Sequence, residues 1–94
     1  MNLIHRERLE AFARKFKDSA TPLSAWAGAV DFGRFKHLVE LKQTFGSADY
    51  VRPYVVFNIA GNKYRLVTLV NFKLGVVSVE RVMTHAEYDR GTWR

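Results

Sequence analysis

The sequence predicts an α+β domain in which N-terminal helices pack on one face of a small antiparallel β-sheet. Three observations carry this reading. The chain has 94 residues, enough for a single domain over 1–94 with one core and no linker or repeat. Its apolar spacing is helical through residue 45 and strand-like from 54 to 83. Gly61-Asn62 separates two runs rich in Val, Ile, Leu, Phe and Tyr, as a hairpin turn does.

Asn2 to Ile4 reads as a short strand. Leu9, Phe12, Ala13 and Phe16 then recur at helical spacing, with Arg6, Arg8, Arg14, Lys15 and Lys17 around the rest, and this helix ends near Asp18. Thr21-Pro22 reads as an N-cap followed by proline at the first helical position, with Leu23, Trp26 and Val30 on one face and Gly33 as the breaker. Phe35, Leu38, Leu41 and Phe45 mark a third helix that ends at Gly46-Ser47.

Val55–Ala60, Lys63–Phe72 and Val76–Met83 form a meander. A turn at Gly61-Asn62 pairs Ile59 with Tyr64, Asn58 with Arg65 and Phe57 with Leu66. One face then carries Val55, Phe57, Ile59, Tyr64, Leu66, Val70 and Phe72 toward the helices; the other carries Val56, Asn58, Lys63, Arg65, Val67 and Leu69. Pairing Phe72 with Val77 continues the apolar face across the last hairpin. It sets Thr84 opposite Arg65 but leaves Arg81 on the apolar side, unless its head reaches the rim or a bulge shifts the register. The segment Thr84–Asp89 therefore leaves the sheet beside Asn58, Lys63 and Arg65.

Fifteen Lys and Arg against nine acids give a formal charge of +6, which favours a polyanionic partner, nucleic acid first, over a merely soluble basic protein. The absence of cysteine excludes a disulfide framework, a thiol nucleophile and zinc or iron–sulfur sites built on thiolates. His5, His37 and His85 lack ligand spacing, so no metal or other cofactor is expected. The uncharged run from Ser19 to Val30 is too short for a membrane span, and His5 to Arg8 interrupt any signal peptide, so a cytoplasmic location and no membrane contact are expected.

Metal-free RNA cleavage needs a base for the 2′-hydroxyl, an acid for the leaving 5′-oxygen and cations for the charge that develops on phosphate. His85 is a candidate acid because histidine is the side-chain type suited to proton transfer near neutrality, although a surface histidine capping a short helix needs no such role. Arg65 can fork onto phosphate, or be an ordinary solvated strand arginine. Tyr88 can stack on a base or donate a proton, or simply lid the sheet edge. Asn58 and Lys63 can contact substrate, as can Lys36 and Lys42 on the third helix; each is also explained by an exposed polar face. Glu87 and Asp89 can orient His85. Arg65 and His85 are both expected on the wet side of the sheet, where substitution leaves the fold intact.

Val56-Phe57-Asn58-Ile59-Ala60-Gly61-Asn62-Lys63-Tyr64-Arg65-Leu66, with Thr84-His85-Ala86-Glu87-Tyr88-Asp89 and Leu41–Asp49, resembles the HigB family of type II toxin–antitoxin toxins, within the RelE/ParE-like superfamily of messenger-RNA interferases. Two departures stand out: Ala60 where the family commonly has glycine, and Gly46 where it commonly has proline. The resemblance implies a RelE-like fold whose concave face binds messenger RNA, typically in the ribosomal A site, and metal-free cleavage with the 2′-hydroxyl as nucleophile. It maps the strand arginine onto Arg65, the His or Arg after the last strand onto His85, and a C-terminal tyrosine onto Tyr88. It transfers no base; Lys63, Lys42 and Tyr88 are the residues on offer. The implied partner is a helix-turn-helix antitoxin in a heterotetramer. The alternatives are a non-enzymatic RNA- or ribosome-binding module and a ParE-like toxin with another target.

Overall fold

A computed structural model describes residues 1–93. In chain order it contains β1 (Asn2–Ile4), α1 (Glu7–Lys15), a 3-10 turn at Lys17–Ser19, α2 (Ala20–Phe32), α3 (Leu38–Thr44), β2 (Asp49–Val51), β3 (Tyr54–Ile59), β4 (Tyr64–Asn71), β5 (Val76–Thr84) and α4 (His85–Arg90). The strands form one sheet in the order β1-β5-β4-β3-β2. It is antiparallel except at β1, which runs parallel to β5 and makes the sheet mixed.

The helices cover one face, as expected. Leu9, Leu23, Trp26, Val30 and Leu41 are buried against Val55, Phe57, Ile59, Tyr64, Leu66, Val77 and Val79. Phe57 is the aromatic centre, with Trp26 at 5.3 Å and Phe45 at 5.1 Å between ring centroids, both edge-on. Nearer the β3–β4 hairpin, Phe12 and Phe16 pack on the Tyr64 ring at 5.2 and 5.5 Å.

Two helix starts differ from the sequence reading. The cap of α2 is Ser19 rather than Thr21, so Pro22 sits in the first turn, where its missing N–H is harmless. His37 caps α3 by accepting the Glu40 N–H at Nδ1.

The β3–β4 register is the expected one, but β4–β5 departs from it in two steps. The connecting turn takes in Phe72, so Val77 opposes Val70 instead. That two-residue offset preserves faces, and Val77 and Val79 point into the core. A bulge at Glu80 then adds one residue: Val79 opposes Thr68, whereas Arg81 opposes Val67. Everything beyond it changes face. Arg81 thereby leaves the apolar core, Met83 moves to the second face, and Thr84 opposes Tyr64 rather than Arg65.

The second face is also less polar than expected. Val56, Val67, Met83 and Trp93 form a smaller buried cluster there, flanked by Val51, Tyr54 and Tyr88. Among the described residues, no helix is long and apolar enough to cross a membrane.

Candidate active site

The β3–β4 hairpin and the start of α4 meet at one end of the sheet. The hairpin loop is held open by left-handed backbone at Ala60 (φ 54°) and Gly61 (φ 67°). Gly61 accepts this conformation without strain and Ala60 does not. The departure from the family pattern at position 60 therefore falls where glycine has a physical advantage.

His85 opens α4, and its backbone N–H donates to the Lys63 carbonyl at 2.9 Å. Thr84 caps the helix reciprocally: its hydroxyl accepts from the Glu87 N–H at 3.2 Å, and Glu87 Oε1 accepts from the Thr84 N–H at 3.2 Å. These backbone bonds to Thr84 hold the Glu87 carboxyl below its usual pKa. The half-exposed His85 ring has Nε2 3.4 Å from Asp89 Oδ2, one helical turn on. Asp89 is thus the carboxylate beside the imidazole, and Glu87 serves the cap instead.

Arg65 is the main correction. It is not on open surface but buried at 8% exposure. Nη1 donates to the carbonyls of Tyr64 (3.1 Å) and Asn62 (3.2 Å), and Nη2 to Asn62 Oδ1 (2.8 Å). The guanidinium carbon lies 5.7 Å from the Tyr88 ring centroid, a cation–π distance. Tyr88 in turn stacks on Trp93 (5.0 Å, 21°), whose indole N–H donates to the Tyr88 carbonyl at 3.0 Å. Aromatic packing thus covers the arginine, and turn oxygens hold its fork.

Lys63 reaches away from Arg65, to Asp18 in the 3-10 turn, with Nζ 2.8 Å from Oδ2. The Tyr64 hydroxyl donates to the other oxygen of the same carboxylate. The hydrogen bonds from Lys63 and then Tyr64 hold the Asp18 carboxyl below its usual pKa, and Asp18 raises both Lys63 and Tyr64. A lysine so held stays protonated at neutral pH.

The structure thus brings Arg65 together with Tyr88 and ties the His85 backbone to Lys63, whose side chain turns to Asp18, with Asn58 exposed opposite Arg65. It separates Lys36, which lines a groove with Arg34, Phe35, Phe72, Lys73 and Leu74 at the other end of the sheet. That is about 20 Å along β4 at roughly 3.3 Å per residue. Lys42 is exposed in the last turn of α3, on the helical layer. Sequence reasoning missed Asn62, Asp18 and Trp93 as parts of this site. Asn62 was legible only as a turn residue, and Asp18 meets its partners across 45 and 46 residues of chain, beyond any local pattern. Among the described residues, no three His, Asp or Glu are grouped to hold a metal ion.

Comparison with known proteins bears on this arrangement. A family model described as HigB_toxin, RelE-like toxic component of a toxin-antitoxin system, matches residues 19–91. The chain is 37% identical over 92 residues to the mRNA interferase toxin HigB of Escherichia coli K12, covering 95% of this chain and 88% of that protein. The same figures hold for the mRNA interferase HigB of Shigella flexneri. A third relative, the mRNA interferase HigB of Escherichia coli O6:H1, is 27% identical over 95 residues, covering 98% of this chain and 92% of that protein. Residues 19–91 include both the hairpin and α4, and the chain belongs to the HigB family of RelE-like toxins.

Proposed function

We propose that this chain is an endoribonuclease that cleaves messenger RNA in the cytoplasm, on the ribosome, and is neutralised by a cognate helix-turn-helix antitoxin in a heterotetramer. The names of its relatives support the reaction class, and the toxin family supports the antitoxin. The observation that carries the site is that the backbone N–H of His85 and the guanidinium of Arg65 are tied to consecutive carbonyls, Lys63 O and Tyr64 O, at one end of the sheet.

In this reading the 2′-hydroxyl gives its proton to solvent water as its oxygen bonds to phosphorus, the P–O5′ bond breaks to leave a 2′,3′-cyclic phosphate, and the departing 5′-oxygen takes a proton from the His85 imidazolium. Arg65 turns its remaining N–H groups toward the phosphate, where negative charge grows in the transition state. Its turn-held fork needs little rearrangement when that charge appears. Tyr88, already stacked on Trp93, orients the adjacent base. Lys63 contributes charge rather than acting as the base, because Asp18 keeps it protonated. No step draws on a metal ion.

The test is cleavage of a ribosome-bound message by protein stripped with EDTA and desalted before it is added to magnesium-containing ribosomes, with and without a 2′-deoxy substitution at the scissile nucleotide. The expected result is full activity from the stripped protein and none on the deoxy substrate. Cleavage of the deoxy substrate, or activity that returns only when a transition metal is restored to the protein, would overturn the mechanism.

A further inference from the structure

The 3-10 turn at Lys17–Ser19 lies outside the hairpin and α4, yet it grips the hairpin to which α4 is tied. One carboxylate there takes the Lys63 ammonium on Oδ2 and the Tyr64 hydroxyl on Oδ1. These two residues are the ones whose carbonyls hold the His85 amide (2.9 Å from Lys63) and the Arg65 guanidinium (3.1 Å from Tyr64). We propose that Asp18 is a positioning residue, fastening the Lys63–Tyr64 peptide to the helical layer so that His85 and Arg65 keep a fixed mutual geometry.

The anchor itself is well fixed. Ser19 is fully buried; its N–H and hydroxyl both donate to the Phe16 carbonyl, at 2.9 and 2.6 Å. Phe16 packs on the ring of Tyr64, the same residue whose hydroxyl Asp18 accepts. The turn is therefore coupled to the hairpin by apolar contact on one side and by the carboxylate on the other. An ordinary surface ion pair joins two flexible side chains and fixes little. Here the Asp18–Lys63 pair is likewise exposed, but the turn that carries Asp18 is pinned by the buried Ser19, and the second partner, Tyr64, is itself buried.

This inference rests on the nuclease reading for its kinetic part only. Asp18→Ala removes both bonds, and Asp18→Asn keeps the shape without the charge. With the nuclease active, Asp18→Ala is expected to lower kcat by about 10-fold, the scale of a small misplacement of reacting groups, with KM nearly constant. In a Lys63→Met/Tyr64→Phe background the same substitution should have no further effect, because its partners are gone. An equal loss in both backgrounds, or unchanged kcat in the first, would overturn the proposal.

A readout independent of cleavage is the NMR signal of the Arg65 Nε–H and of the His85 ring carbons. In folded Asp18→Ala, or Asp18→Asn if the alanine variant does not fold, both sets should shift or broaden. Unchanged signals would overturn the proposal even for a chain that cuts no RNA. A wild-type protein without cleavage, but with these shifts on substitution, would instead count against the nuclease reading alone.

Discussion

Arg65 and His85 answer differently to substitution because one is held inside the protein and the other stands half in solvent. Removing the Arg65 side chain takes away its bonds to the Asn62 amide oxygen and the Tyr64 carbonyl and a cation from beneath Tyr88. Arg65→Ala should therefore cost about 1–3 kcal/mol of stability as well as cleavage rate, which chemical denaturation and single-turnover kinetics will separate. His85→Gln should leave stability within about 0.5 kcal/mol, while lowering the cleavage rate by about 10²-fold or more. At Ala60 the left-handed backbone (φ 54°) makes Ala60→Gly a stabilising change, by about 0.5–1 kcal/mol after glycine's entropic cost; a denaturation midpoint that falls would contradict it. Arg65 and His85 both stand out as candidates in the sequence, since a histidine and a strand arginine near a basic hairpin are types suited to phosphate chemistry. The burial of Arg65 was not legible there. It depends on Asn62 folding back and on Trp93 closing from the far end of the chain, neither of which has a local signature.

At the scale of elements, the hairpin, the 3-10 turn and α4 form one assembly whose acid dependence follows from Asp18. Lys63 and Tyr64 hold its carboxyl below the usual range. The stabilisation is therefore present above about pH 4, the unfolded-state pKa, and is lost as pH falls through the lower folded value. Asp18 raises Lys63 in turn, so that contribution is complete below about pH 10 and fades as pH rises through the higher folded value. Asp18→Asn should flatten the melting temperature at both ends of a pH series, and a curve parallel to wild type would contradict this. Helices and long strands could be read from periodicity, because burial of one face imposes the pattern. The β4–β5 register could not be read as simply. Arg81 on an apolar face signalled a conflict, and the bulge at Glu80 resolves it by turning Arg81 to the second face. Strand β2 was missed, being only Asp49–Val51 and having no buried residue of its own.

Across the whole molecule, the +6 charge is divided between separate regions. Lys63 and Arg65 lie at the hairpin, whereas Arg34, Lys36 and Lys73 line the groove at the opposite end. RNA affinity should fall steeply with salt, because each phosphate contact releases counterions. Lys63→Ala should reduce that slope by about 1, whereas Lys36→Ala should reduce it less, acting only through the long-range field. Equal reductions would place RNA on both ends. The fold class was visible from the halfway change in periodicity, and the second apolar cluster under Trp93 was not, because it joins β3, β4, β5 and the C-terminal residues across the sheet.

Message cleavage with His85 as the acid can be checked in cells by inducing the wild-type protein and His85→Gln separately and mapping transcript 5′ ends. New ends inside coding regions are expected for wild type, and their loss with the folded His85→Gln protein at equal abundance. Growth arrest with intact transcripts would contradict the nuclease reading, and the same cuts from His85→Gln would contradict the acid.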